Sequence, residues 1–147
     1  MSRICLLLLA AVSAAAQPGV RAQFIGGTLT GISPKSSARL DLSDTETLVL
    51  QCAATQLRVP YGKINTLEYG QNVSRRYAAA ILISPVLLLS KSRKHFVTLG
   101  YVDANEKQQA LVFRIEKGDI RSVLSGLEAR TGRRIEYQDD EARKSGK

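Results

Sequence analysis

The chain is poor in the residues that most often mark a catalytic or metal site. Its 147 residues include no Trp, one His, one Met and two Cys. So few His and Cys residues exclude the four-ligand zinc sites of structural domains. The absence of a Gly-x-x-x-x-Gly-Lys sequence excludes a phosphate-binding P-loop. We therefore predict that the protein is not an enzyme and has no catalytic residues, no metal and no cofactor.

Aromatic residues are also scarce, at 5% of the chain, whereas hydrophobic residues make up 44%. A core must therefore consist mainly of Leu, Ile, Val and Ala, and the composition is that of a globular protein. The length allows one domain. His95 lies beside a basic run, and we interpret it as a surface or strand-edge histidine. Cys52 ends the apolar run Leu48–Cys52, and we interpret it as a buried thiol rather than a reactive one.

The first 22 residues have the organisation of a secretory signal peptide. Arg3 forms a short basic region, an apolar run extends from Ile4 to Ala16, and small residues suited to a signal peptidase follow. The run is too short to span a bilayer. We predict a signal peptide over residues 1–22, with cleavage after Ala16 as the alternative, and export to the periplasm or the extracellular space. Retention of the segment as a membrane anchor is the competing interpretation.

Basic residues outnumber acidic ones by 21 to 13, which gives a formal net charge of +8. Removal of residues 1–22 takes away Arg3 and Arg21 and leaves 19 basic residues against 13 acidic ones, or +6. This charge favours anionic partners, although it is equally compatible with a protein that is simply soluble. We predict no nucleic-acid partner, because the arginines near the C terminus lack interleaved aromatic residues for base stacking.

Alternation of polar and apolar residues predicts about seven short strands followed by one helix. The clearest strands are Phe96–Val102, which is apolar on both faces, and Gln109–Ile115, which alternates after a polar loop. The i, i+3, i+4, i+7 spacing of an amphipathic helix is then shown by Ile120, Val123, Leu124 and Leu127. Gly132 is placed to end that helix. Residues 138–147 are predicted to be a flexible charged tail.

Several stretches resemble parts of one known family. Residues Leu57–Ile64, followed by Leu67–Gly70, are similar to its hydrophobic-Pro-Tyr-x-x-Ile-x-x-hydrophobic-Glu stretch. His95–Tyr101 and Ala110–Ile115 are similar to its later hairpin, and Leu127–Gly132 to its closing helix. On these residues the chain resembles pleckstrin-homology-like (PH-like) domains of the bacterial or GRAM type.

This resemblance covers about residues 24–137. It implies a mostly β (β+α) fold, a strongly bent antiparallel barrel of seven strands closed at one end by the C-terminal helix, with residues 23–137 as a single domain. It also implies a binding module for lipids or proteins rather than a catalyst. The first predicted hairpin carries only Lys35 and Arg39, too few cations for specific binding of inositides.

The chain departs from the family in an apolar insert, residues 77–90. Its 12 residues from Ala78 to Leu89 are interrupted by Ser84–Pro85 and are too few to cross a bilayer, which takes roughly 20. The insert could instead enter one leaflet while the basic residues on either side meet lipid phosphates. The predicted contact residues are Arg75, Arg76, Ile81, Leu82, Ile83, Val86, Leu87, Leu88, Leu89, Lys91, Arg93 and Lys94.

Two other interpretations of the insert remain open. Its side chains could belong to the core, with ordinary solvated charges around them. Alternatively, the insert could form a homodimer or dock on an unidentified partner protein, because an exposed apolar segment on a soluble monomer commonly marks an interaction site. The predicted partner is accordingly an anionic membrane surface or another protein.

Overall fold

The computed structural model describes residues 18–71 and 94–146, and within them the chain is mostly β. Two of its strands, Ser37–Asp41 and Thr47–Cys52, bury alternate residues, as the pattern predicts; the second buries Leu48, Leu50 and Cys52. The strands are β1 (Val20–Gly27), β2 (Ser37–Asp41), β3 (Thr47–Cys52), β4 (Thr55–Pro60), β5 (Ile64–Gly70), β6 (His95–Val102), β7 (Gln108–Ile115) and β8 (Glu136–Tyr137). The helices of this part are α1 (Ile120–Thr131) and α2 (Asp140–Gly146), with a 3-10 turn at Tyr61–Lys63.

All eight described strands belong to one sheet, in the order β4-β3-β2-β1-β7-β6-β5-β8. Neighbouring strands are antiparallel except β5 and β8, which are parallel. The prediction of a mostly β fold with a C-terminal helix is confirmed. The sheet differs from the predicted closed barrel of seven strands, because it is open, with β4 and β8 at its edges, and contains an eighth strand. Its residues, Glu136–Tyr137, fall within Arg134–Tyr137, a stretch that the sequence also allows as a short strand.

One face of the sheet carries the hydrophobic core, which α1 covers. This helix buries the four residues that the spacing predicts, namely Ile120, Val123, Leu124 and Leu127. They join a cluster that includes Phe24 and Phe113, whose rings meet edge to face at a centroid distance of 5.8 Å. The helix ends as predicted at Gly132, where a φ of 68° suits glycine and the N–H donates to the carbonyl oxygen of Glu128 at 2.9 Å.

The opposite face of the sheet has a polar half and an apolar half. On β2, β3 and β4 it carries polar residues such as Arg39, Gln51 and Arg58, which are exposed or half-buried. On β1, β6 and β7 it carries apolar side chains that are 0–4% exposed, although they lie outside the core cluster: Ile25, Phe96, Ala110 and Val112. The apolar half agrees with the prediction that the Phe96–Val102 strand has two apolar faces.

The C terminus differs from the predicted flexible tail, because α2 occupies most of residues 138–147. Asp139 accepts a hydrogen bond on Oδ1 from the N–H of Ala142 at 2.7 Å, as an N-terminal cap does. Ala142 is fully buried. Gly146 packs so closely that a Cβ there would lie 2.9 Å from Cε1 of Tyr137. In α2, Ala142 is the only residue with a buried apolar side chain, and most of the other residues are charged. The helix therefore lacks the regular spacing of apolar residues from which it could be predicted.

The described N terminus constrains the predicted cleavage site. β1 begins at Val20, which pairs with Leu40, and Arg39 donates from Nη1 to the carbonyl oxygen of Gly19 at 3.1 Å. Cleavage after Ala22 would remove three paired residues from β1, whereas cleavage after residue 16 leaves the strand complete. The remainder of the predicted signal peptide lies outside the described residues.

Candidate functional site

The predicted contact site lies almost wholly outside the described residues, but the structure describes both points where it leaves the fold. β5 and β6 are neighbouring strands, and Gly70 pairs with Phe96. Lys94 is half-buried just before β6. The site residues outside the described part are Arg75, Arg76, Ile81, Leu82, Ile83, Val86, Leu87, Leu88, Leu89, Lys91 and Arg93.

The connection begins beside the C-terminal helix. Gln71, directly after β5, donates from Nε2 to Oγ of Ser145 in α2 at 3.2 Å. Gln138 donates from Nε2 to Oε1 of Glu68 at 2.9 Å, and this hydrogen bond satisfies a carboxylate that is only 6% exposed. The residues around β8 and α2 are thus hydrogen-bonded to the end of β5 from which the insert departs.

The other end of the connection is held by a histidine–tyrosine pair. Tyr69 is fully buried, and its hydroxyl lies 2.5 Å from Nδ1 of His95, with the two rings stacked at a centroid distance of 6.0 Å. Burial raises the pKa of Tyr69, so the phenol keeps its proton and shares a hydrogen bond with Nδ1 of the imidazole. Burial, and then the nearby Lys117, lower the pKa of His95, while Glu116 opposes the shift. This pair joins the end of β5 to the start of β6, the two points between which the insert lies.

The depressed pKa of His95 predicts that acid destabilises the fold. The unfolded chain binds a proton at a higher pH than the folded protein does, so stability rises with pH through this region and is lost as the pH falls below about 6.5. We expect the Tm to fall between pH 7.5 and pH 5.5, and His95→Gln to reduce that fall. Calorimetry at constant ionic strength measures both profiles.

Two carboxylates with lowered pKa values, those of Asp44 and Asp103, titrate in a different pH range from His95. Hydrogen bonds from backbone N–H groups lower the pKa of Asp44 and Asp103, so their contributions are lost only below about pH 4. Parallel Tm profiles for the parent and the His95→Gln protein between pH 7.5 and pH 5.5 would contradict the assignment.

The remaining candidate groups show no reactive arrangement in residues 18–71 and 94–146. Cys52 is buried, and burial raises the pKa of its thiol, which disfavours the nucleophilic thiolate. Across the same residues, no three His, Cys, Asp or Glu side chains come together as ligands of a metal ion. Neither described helix has the length and apolar character needed to cross a bilayer.

Sequence reasoning did not find a basic groove between α1 and the β8–α2 end of the chain. The groove has a volume of about 800 Å³. Its guanidinium groups come from three separate places, α1, the loop after it and α2, and we call it the arginine groove after Arg121, Arg133, Arg134 and Arg143. The sequence shows these residues only as scattered charges, because the fold, not their spacing, brings them together.

The polar half of the outer face is built differently. A smaller hollow there is lined by Arg21, Arg39 and Gln51 with small residues around them. It lies on β1, β2 and β3, away from β5 and β8. The insert departs from the end of β5, and α2, which is hydrogen-bonded to Gln71 there, also lines the arginine groove. This edge of the sheet is therefore the candidate functional site.

Comparison with protein-family models gives no match, and comparison with curated protein sequences gives none either.

Proposed function

We propose that the protein is an exported, non-enzymatic binding module with a PH-like fold that associates with an anionic membrane surface. Residues 77–90 enter the outer part of one leaflet, and the basic residues that flank them contact lipid phosphates. In this proposal the β-sheet and α1 are the scaffold, and the insert is the contact.

The observation that carries the proposal is the pairing of Gly70 with Phe96. Antiparallel neighbours are ordinarily joined by loops of two to five residues, yet here residues 71–95 separate the paired positions. A long connection at the end of a hairpin costs little loop entropy, so its apolar sequence calls for a function other than joining the strands.

The composition of the connection suits the boundary between water and lipid. Apolar side chains occupy its centre, and Arg75, Arg76, Lys91 and Arg93 flank them without any acidic residue between positions 72 and 93. A basic residue close to an anionic membrane contributes about 1 kcal/mol. An apolar side chain contributes roughly 1.5–3 kcal/mol when it is fully buried. Insertion and charge contacts therefore act together at one place.

The fold adds further positive charge at the same edge. Gln71 contacts Ser145, and exposed Arg143 and Lys144 precede that residue in α2. A membrane surface that meets the insert would thus also face cations of the C-terminal helix. This placement supports an anionic surface over a neutral one.

The test compares variants of the chain that starts at Gln17, which contains every described element. In one variant Asn-Gly replaces residues 72–93; in a second, Arg75, Arg76, Lys91 and Arg93 become Gln. We expect the parent to co-sediment with phosphatidylglycerol-containing vesicles. Loss of about 1 kcal/mol per charge predicts binding about a hundredfold to a thousandfold weaker for the second variant at low salt. The shortened protein should not bind and should keep the parent's Tm.

Two results would overturn the proposal. One is undiminished pelleting of the folded, shortened protein, which places the contact elsewhere. The other is a shortened protein that has lost both binding and several degrees of Tm, which makes residues 72–93 part of the folded core. A parent that ignores vesicles but forms a dimer in light scattering, with the shortened variant monomeric, supports the alternative of a protein-docking segment.

A further inference from the structure

The arginine groove has a charge that its own residues do not neutralise. Glu128 is the one carboxylate among its lining residues, and its Oε1 accepts a hydrogen bond from the N–H of Ile135 at 2.8 Å. None of the four guanidinium groups forms an ion pair with a carboxylate within the described ranges. The lining of the groove therefore has an excess of three positive charges, distributed from the first turn of α1 to the loop after it and α2.

The four arginines are not equivalent. Arg133 donates from Nε to the carbonyl oxygen of Ile64 at 3.1 Å, so part of its guanidinium holds the loop after α1 against β5. Arg121, Arg134 and Arg143 are exposed and keep their donors for another partner. A guanidinium carries five N–H donors in a planar fork that matches the oxygens of a phosphate group.

The floor of the groove is apolar and closely packed. Leu124, Ile135 and Tyr137 line it, and the Tyr137 ring meets that of Tyr69 edge to face at a centroid distance of 6.0 Å. A Cβ at Gly146 would lie 3.1 Å from Cδ1 of Leu124, so the end of α2 closes the floor against α1. The shape is a shallow cleft with cations at its rim and an apolar base, as in many ligand sites.

Two charged residues of the groove lining, Glu128 and Arg143, affect the hydroxyl of Tyr137 in the floor. Burial raises the pKa of the Tyr137 hydroxyl, the Glu128 carboxylate raises it further, and the Arg143 guanidinium lowers it. Both the Glu128 and the Arg143 charge therefore act on the Tyr137 hydroxyl. The Glu128 carboxylate is held by the backbone at Ile135, and Arg143 is exposed.

We propose that the arginine groove binds a phosphate group. Arg121, Arg134 and Arg143 contact the phosphate oxygens, and the floor at Ile135 and Tyr137 accepts the less polar part of the molecule that bears the phosphate. Two sources supply this chemistry, a lipid headgroup and a free phosphate. The site consists of described residues only and does not depend on insertion of residues 77–90.

The test uses the chain from Gln17, with inorganic phosphate and a short-chain, monomeric phosphatidylglycerol as the probes in ¹H–¹⁵N NMR titrations. We expect phosphate to shift the amide signals of Gly132, Ile135 and Gly146. Arg134→Gln combined with Arg143→Gln should weaken binding at least about tenfold, and leaves Arg133 and its structural hydrogen bond in place. The matched control, Arg58→Gln combined with Lys107→Gln, removes two charges elsewhere and should bind as the parent does.

The outcomes separate the two sources and the two proposals. A phosphatidylglycerol affinity at least tenfold above that of inorganic phosphate assigns the site to a lipid headgroup, and equal affinities assign it to free phosphate. The shortened protein lacking residues 72–93 should retain phosphate binding even if it loses vesicle binding. Equal weakening by the groove variant and the control, or amide shifts spread evenly over the surface, overturns the site.

Discussion

Leu87→Asp combined with Leu88→Asp is expected to weaken vesicle binding by about a hundredfold or more while changing the Tm by no more than about 2 °C. A charged side chain at the centre of a membrane helix costs about 2.5–3.5 kcal/mol, and every 1.4 kcal/mol is a factor of ten in affinity. Two such charges cost about 5–7 kcal/mol at the bilayer centre, and the hundredfold loss, about 2.8 kcal/mol, is roughly half of that cost, as suits the outer part of one leaflet. Co-sedimentation and calorimetry on the same preparations measure the two quantities.

The matched control adds the same two negative charges at the other edge of the sheet. Ala53 and Ala54 are exposed in the turn between β3 and β4, and the φ of 51° at Ala53 is one that Asp tolerates better than most residues. Ala53→Asp with Ala54→Asp should reduce binding only through net charge, an effect that high salt removes. If both double variants lose binding equally, insertion is not the mechanism. If the Leu87 and Leu88 variant unfolds, those side chains belong to the core.

The sequence predicts those elements of the fold in which several apolar residues recur at a regular spacing. The helical spacing that ends at Leu127 corresponds to α1, and the left-handed glycine at Gly132 ends it as expected. β6 is buried on both faces from Phe96 to Tyr101, as its apolar sequence predicts, and the alternating residues Leu111, Phe113 and Ile115 of β7 are buried. In each of these elements several neighbouring residues indicate the same secondary structure, so a short stretch of sequence is enough to predict it.

Helix α2 and the pairing of β8 with β5 could not be predicted in this way, because their contacts are single and distant in sequence. Two residues form β8, and one buried alanine holds α2. The pairing of Glu68 with Glu136 joins residues far apart in the chain. A composition rich in Asp, Glu, Arg and Lys is typical of a solvated tail, and only the tertiary contacts convert it into structure.

The same limit applies to the candidate sites. The insert is visible in the sequence because its apolar and basic residues are contiguous. The arginine groove is not, because α1, its following loop and α2 each contribute one or two cations at positions without a period. A search for clusters along the sequence finds the first kind of site and misses the second. Its one local sign is the adjacent pair Arg133–Arg134.

Phe96→Ala is expected to lower the free energy of unfolding by about 3–5 kcal/mol, the range for removal of a buried aromatic ring. Phe96 is 4% exposed, yet it lies on the outer face of the sheet and outside the core cluster. Because Phe96 is buried, we expect its truncation to cost as much free energy of unfolding as truncation of a core residue. The outer face of an open sheet is ordinarily solvated, and truncation there would cost much less. Urea unfolding, with Phe96→Leu as a milder variant, measures it.

Phe113→Ala is the matched comparison, because the same atoms are removed from the adjacent strand on the core face, where Phe113 is fully buried. The two variants should differ by no more than about 1–2 kcal/mol, since the cost of truncation follows burial and the space left behind. A cost for Phe96→Ala below about 1 kcal/mol would show that the apolar half of the outer face meets water in solution. The face formed by Ile25, Phe96, Ala110 and Val112 would then be a second apolar surface, beside the insert, that could enter a membrane.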